Sequence, residues 1–319
     1  MIDKILNKIN VGAAMTREDA ITMLNTANAS EDFYKLISAA NTLSRVQYKN
    51  KGYIFAQIGI NAEPCSGNCK FCSLAEDYFK VDVKFQKETE QVVSEAKAVA
   101  GEDIEALFLM TTADYDKDMF IAIGQAVRDV IPQSIQLVAN IGDFDSIYAN
   151  KLKAAGFSGV YHIVRLREGV DTNISKDVRI ATLDAAKEAG LELYYCIEPI
   201  GREHTYEEIA DEMLRAREYG VNVMAVMVRV CVDEKQYKEK NNITELELTK
   251  IAAVTRIVTN PQKSMNVHEA KKMPLLAGVN QLYTEYGMNP RDTSSKTEAS
   301  RGFNTAFVKK MLLDAEYTI

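Results

Sequence analysis

Tyr53-Ile54-Phe55-Ala56-Gln57-Ile58-Gly59-Ile60-Asn61 leads, a few residues on, into Cys65-Ser66-Gly67-Asn68-Cys69-Lys70-Phe71-Cys72. The first stretch is apolar, aromatic and β-branched, and reads as a buried strand. The second holds three cysteines at the spacing C-x3-C-x2-C. Thiolates this close in sequence can converge on one inorganic centre, and iron–sulfur clusters are held by such thiolates. Three protein ligands on a four-iron cubane leave one iron open to another molecule. A structural zinc site normally takes four ligands, usually as two close pairs. No second pair exists in this chain, which has only three histidines. A disulfide framework belongs to short secreted chains. The pattern favours an iron–sulfur centre with an open site.

The chain has 319 residues, 47% of them hydrophobic, which is enough to bury the core of one large domain. Its net charge of −7 gives no general pull toward nucleic acid or an anionic membrane. Residues 1–9 are amphipathic and interrupted by charge, without the apolar run of a signal peptide. No stretch reaches the length of a membrane span. Five cysteines, three of them in one loop, suit a reducing compartment, so the expected location is cytoplasmic.

From about residue 49 onward, apolar strands alternate with amphipathic helical stretches. Strands are predicted at 53–61, 104–112, 134–140, 159–165, 191–197, 222–229, 264–268 and 279–285, with helices at 88–100, 143–155, 180–189, 206–219 and 245–259 among them. The strands carry few charges, as parallel strands covered on both faces do. Repeated strand–helix alternation predicts an α/β fold, a (β/α)8 TIM-type barrel. Ala155-Gly156, Ala189-Gly190 and Tyr219-Gly220 place a glycine where a helix would end before the next strand. Residues 1–48 read as a short helical extension, opened in part by a capping box at Thr16-Arg17-Glu18-Asp19. Residues 49–319 read as the barrel, with a long polar loop at 289–302 and a last helix near 304–315.

In such a barrel the functional groups sit at the C-terminal ends of the strands. The cysteine loop follows the first strand and so falls on that face. The other strand ends offer Thr111 after the second strand, Asn140 after the third, and Arg165, Arg167 and Glu168 after the fourth. The fifth offers Cys196, Glu198 and His204, the sixth Arg229 and Cys231, and the seventh His268 and Glu269. Polar groups bunched at successive strand ends point to a shared cavity. The bland reading of the charged set is a solvated ion-pair network.

The cysteine loop, with Phe71 just before its third cysteine and the strand ahead of it, resembles the radical S-adenosylmethionine superfamily. The run Leu276-Ala277-Gly278-Val279-Asn280, followed by Tyr283 and Gly287, resembles a segment associated with biotin and thiamin synthesis enzymes. The resemblance therefore points to the biotin synthase-like branch, which also contains hydrogenase-maturation, tyrosine-lyase and methylornithine-synthase relatives. It implies a [4Fe–4S] cluster on Cys65, Cys69 and Cys72, with S-adenosylmethionine on the open iron. Phe71, Thr111, Asn140, Arg165, Arg167, Glu168 and Glu198 become the candidate residues for binding S-adenosylmethionine. Among them, Glu168 is the first choice for the ribose or ammonium, and Arg165 or Arg167 for the carboxylate. Ile200-Gly201-Arg202-Glu203-His204-Thr205 resembles the region after the fifth strand in such proteins, with His204 inserted before the threonine.

The implied reaction is reductive cleavage of S-adenosylmethionine to a 5′-deoxyadenosyl radical that takes hydrogen from a small-molecule substrate. Sulfur insertion, as in biotin synthase, is one outcome. Its usual second cluster needs cysteines where this chain has Leu109 and Val138, and an arginine that is not evident. Cys196 and Cys231 are candidate ligands of a different auxiliary cluster, or ordinary buried thiols. Arg229, His268 and Glu269 are candidates for contact with substrate. Rearrangement, fragmentation or hydrogenase-maturation chemistry on a single cluster is the alternative, and a non-catalytic iron–sulfur scaffold is a reading from another class. An electron donor such as flavodoxin or ferredoxin is implied as a partner, and a homodimer is left open.

Overall fold

The computed structural model describes residues 2–232, 242–287, 292–297 and 302–319. Eight parallel strands close into a barrel: β1 (Tyr53–Gly59), β2 (Ala106–Met110), β3 (Gln136–Asn140), β4 (Gly159–Tyr161), β5 (Glu192–Ile200), β6 (Val223–Val228), β7 (Ser264–Val267) and β8 (Gln281–Tyr286). Each pairs with its sequence neighbour, and β8 closes on β1 with Phe55 opposite Tyr283. The (β/α)8 barrel expected from the alternation is therefore the fold.

Helices cover the outside: α4 (Thr89–Ala100), α5 (Lys117–Arg128), α6 (Ser146–Ala154), α7 (Lys176–Glu188), α8 (Tyr206–Tyr219), α9 (Glu245–Thr259) and α10 (Thr305–Asp314). Three more come first, α1 (Ile2–Asn10), α2 (Arg17–Leu24) and α3 (Glu31–Gln47). Ile2, Met23, Leu24, Leu36 and Ala40 join the apolar core that the barrel shares with its outer helices. Thr16 and Asp19 form the capping box of α2, each side chain taking the other's backbone N–H. Gly156, Gly190 and Gly220 all have positive φ, as glycine beyond a helix end does. No helix among the described residues is long and apolar enough to cross a membrane.

Two strands end three or more residues away from the sequence expectation at the functional end. β4 stops at Tyr161, because the chain then leaves the ladder and Leu166 donates its N–H to the Glu198 carbonyl at 2.9 Å. β5 runs past Ile197 to Ile200, through an irregularity in its register with β6. Such an irregularity is where a sheet tolerates proline, here Pro199. The loop expected at 289–302 lies in part outside the described residues.

Inside the barrel, alternate residues of each strand point to the axis. Phe55, Phe108, Val138, Tyr194, Val223 and Tyr283 fill its waist. The Phe108 ring packs edge-on against Tyr194 at 5.2 Å and Tyr283 at 5.1 Å. The cavity opens above this aromatic plug, at the C-terminal ends of the strands.

Candidate active site

The cysteine loop rises from β1 and is tied down on three sides. Cys65 bridges to Ala75, and its N–H donates to the Leu74 carbonyl at 2.8 Å. The N–H groups of Lys70 and Asn173 cross between the loop and the segment after β4, reaching the Asp171 carbonyl at 3.0 Å and the Gly67 carbonyl at 2.8 Å. Ser66 donates through both its N–H and its hydroxyl to the Asp114 carboxylate, each at 2.6 Å. Asn68 takes positive φ, and its side chain spans to Glu76 and Asp77. The loop is therefore shaped by its own backbone and by two neighbouring loops.

All three thiols line one cavity. Burial pushes the Cys69 thiol up to about 11, and Cys72 higher still, against nearby Arg165, which favours the thiolates. The Leu74 N–H lies 3.4 Å from the Cys72 sulfur. Among the described residues, no three His, Cys, Asp or Glu side chains gather where they could hold a metal ion.

The wall on the β4 and β5 side is charged. Arg165, Arg179 and Glu198 face the cavity with Phe71, Tyr161, Pro199, Met227 and His268. Glu198 accepts from the Tyr161 hydroxyl at 3.1 Å and lies 3.9 Å from the Arg165 guanidinium. Behind this wall runs a buried chain of alternating charge. Glu168 lies 3.4 Å from Arg165 and 3.5 Å from Arg179, accepts the Arg165 N–H at 3.0 Å and accepts the Thr172 hydroxyl at 2.6 Å. Asp143 stands 3.5 Å from Arg179 and 3.2 Å from His162. Burial opposes the Asp143 charge, but the close approach of His162 and the Arg179 field prevail and bring it down to about 2. Burial lowers His162 to about 4 despite the nearby Asp143 carboxylate. Burial works against the Arg165 charge, but Glu168, Cys69 and Glu198 together outweigh it, so Arg165 is held above its ordinary value.

Of the expected residues, the three cysteines, Phe71, Thr111, Asn140, Arg165, Glu198 and His268 line the cavity. Glu168 does not; its side chain is fully buried behind Arg165. Arg167 turns outward to Asp171 at 3.1 Å. Cys196 is fully buried in β5 opposite Ala225, and Cys231 lies beyond the end of β6; neither lines the cavity. Arg229 is fully buried and pairs with Glu203 and Asn242, so it holds the β5 and β6 rims together. Glu269 takes positive φ just past the cavity wall. His204 accepts the Gly201 N–H at 3.1 Å, beside Thr205, which caps α8.

Sequence reasoning missed Gln57, Met110, Tyr161, Arg179 and Met227, all of which line the cavity. Four of these lie inside strands, where alternation could have marked them as inward-facing. Arg179 comes from the first turn of α7, and only the fold shows that it reaches back to the barrel mouth.

No family model matches the chain. It is 24% identical over 301 residues to biotin synthase of Desulforudis audaxviator (strain MP104C), spanning 89% of this chain and 90% of that one. Biotin synthase of Pelotomaculum thermopropionicum (strain DSM 13744 / JCM 10971 / SI) is 23% identical over 88% of this chain and 91% of its own. In fold, the chain is similar to the FeFe-hydrogenase maturase HydG from Carboxydothermus hydrogenoformans, with a TM-score of 0.81 at 16% identity over 99% of this chain and 78% of that one. It is equally similar to methylornithine synthase (PylB), with a TM-score of 0.81 at 16% identity over 98% and 96% of the two chains.

Proposed function

We propose that this chain, which resembles the radical S-adenosylmethionine superfamily and its biotin synthase-like branch, is an enzyme that uses a [4Fe–4S] cluster and S-adenosylmethionine on a small-molecule substrate. The observation that carries the reading is one cavity at the C-terminal mouth of a (β/α)8 barrel, lined by three loop cysteines and by Arg165, Arg179 and Glu198. The thiols lie around a cavity rather than around a point. That suits a polyatomic cluster, each thiolate meeting its own iron. When bound, the cluster and S-adenosylmethionine supply one-electron cleavage to a 5′-deoxyadenosyl radical.

The chain's own residues do the rest. Cys65, Cys69 and Cys72 hold the cluster. Arg165 and Arg179 offer guanidiniums to the carboxylate of S-adenosylmethionine. Glu198 offers an acceptor to its ammonium or ribose, and Phe71 and Pro199 offer apolar surface to its adenine. Glu168, Asp143 and His162 keep both guanidiniums in place from behind. The aromatic plug closes the floor and excludes water from below. An electron donor such as flavodoxin or ferredoxin completes the system.

Sulfur insertion is kept as a second reading because the curated relatives are biotin synthases. The waist of the barrel favours single-cluster chemistry instead, since Phe108, Tyr194 and Tyr283 fill the space beneath the cavity. Iron analysis with 5′-deoxyadenosine assay, on wild type and on the triple cysteine variant, tests the reading. About four irons and reductant-dependent product, both lost in the variant, are the expected result.

A further inference from the structure

The cavity has a second wall of different chemistry. On the β4 and β5 side stand Arg165, Arg179 and Glu198. The arc from β1 to β3 contributes Gln57, Met110, Thr111, Thr112, Ala113 and Asn140, with no charged side chain among them. Gln57 points inward from β1 and its residue is only 5% exposed. Its carboxamide makes no hydrogen bond within the described chain, nor does that of Asn140. The Thr111 hydroxyl is buried without a partner. Thr112, by contrast, is satisfied through Asn61 at 2.9 Å. Gly59 lies directly across from Met110 and two residues beyond Gln57 on β1, and so adds no side chain of its own above that carboxamide.

A buried polar group without a partner, as the Thr111 hydroxyl is, is rare in native proteins and calls for a ligand or water, and the Gln57 and Asn140 carboxamides line the same cavity. Gln57 and Asn140 each bring one acceptor oxygen and two N–H donors, and Thr111 brings a hydroxyl. No side chain of the arc itself supplies a countercharge; Thr111 and Asn140 also line a smaller cavity with Arg165 and Arg179, the guanidiniums that the proposed function gives to S-adenosylmethionine. A neutral group that both donates and accepts would satisfy the arc. We infer that the β1–β3 wall binds the substrate, through Gln57 and Asn140, by a neutral hydrogen-bonding group such as a carboxamide, and not by a carboxylate, phosphate or ammonium. The inference rests on the function proposed above in one respect: it gives the charged wall to S-adenosylmethionine. Thr111 and Asn140, expected on the cofactor from sequence, then face the substrate. Met110, directly opposite Asn140 on the neighbouring strand, provides apolar surface for its carbon chain.

The test is ligand-observed NMR on the anaerobically purified protein, with and without S-adenosylmethionine. The probes are pentanamide, pentanoate and pentylamine, which share a chain and differ in their heads. Pentanamide should bind wild type, and the two charged probes should bind at least about tenfold more weakly, as a site built for a neutral group rejects a charge. Gln57→Leu and Asn140→Leu should each weaken pentanamide by about tenfold, the loss of one hydrogen-bonding partner. Gln57→Glu, which keeps the shape, should shift preference to pentylamine and guards against a folding artefact in the leucine variants. Preference of wild type for either charged probe overturns the inference. So does unchanged pentanamide binding in both leucine variants, or binding of no probe at all. The readout needs no cluster reaction, so iron content and 5′-deoxyadenosine yield report separately on the function proposed above.

Discussion

Glu168 sits between buried Arg179 and half-buried Arg165 and accepts a backbone N–H and a hydroxyl as well. Removing it leaves the two cations with only Glu198, 3.9 Å from Arg165, and Asp143, 3.5 Å from Arg179, to balance them. Glu168→Ala should therefore destabilise the fold by about 3–5 kcal/mol, the range for breaking a buried charge pair, measurable by urea unfolding. Arg165 lines the cavity itself. Arg165→Ala should weaken S-adenosylmethionine binding by roughly 1.5–3 kcal/mol, or about ten- to a hundredfold, with the iron retained. Unchanged affinity by titration would make Arg165 structural. His162 and Asp143 carry a pH dependence. His162 is brought down from 6.5 to about 4 by burial. Between those values the unfolded chain binds the proton and the folded one does not, so stability rises with pH. It should be complete above about 6.5 and fall as pH drops toward 4, by roughly 3 kcal/mol at 1.36 kcal/mol per pKa unit. Asp143, already held near 2, acts in the same direction at lower pH. Urea midpoints at pH 7 and pH 5 should differ in wild type and differ less in His162→Asn.

At the scale of elements, the rim depends on close approach between loops. A Cβ on Gly142, just past β3, would stand 2.2 Å from the Ala113 carbonyl oxygen, in the loop after β2. Gly142→Ala should push the β2 rim outward and destabilise the protein by at least about 1–3 kcal/mol, the usual range for overpacking. A thermal melt that matches wild type would show that the two loops are not held together as described. The strands and the cysteine loop were legible in the sequence because they rest on local signals: apolar runs, glycine stops and the spacing Cys65, Cys69, Cys72. The roles of Arg167 and Glu168 were not. They are neighbours in sequence, but the turn after β4, where Arg167 takes positive φ, sends one outward and the other inward. Gln57 was overlooked for a different reason. Alternation groups it with Phe55 on one face of β1, but a lone polar residue in an apolar strand is easily read as part of the strand alone.

The whole molecule joins a closed aromatic waist to an open polar mouth. That division shapes the chemistry proposed for it. A second cluster inside the barrel would have to displace the packed rings of Phe55, Phe108, Tyr194 and Tyr283. Iron should accordingly level off at about four per chain, and Cys196→Ala and Cys231→Ala should leave that figure unchanged. Excess iron that persisted in the Cys65/Cys69/Cys72 triple alanine variant would restore the sulfur-insertion reading. The most direct test of the central claim is formation of 5′-deoxyadenosine by the reduced, iron-reconstituted protein with S-adenosylmethionine, run beside that triple variant. The account predicts product from wild type and none from the variant. Product from the variant at the wild-type rate would contradict it.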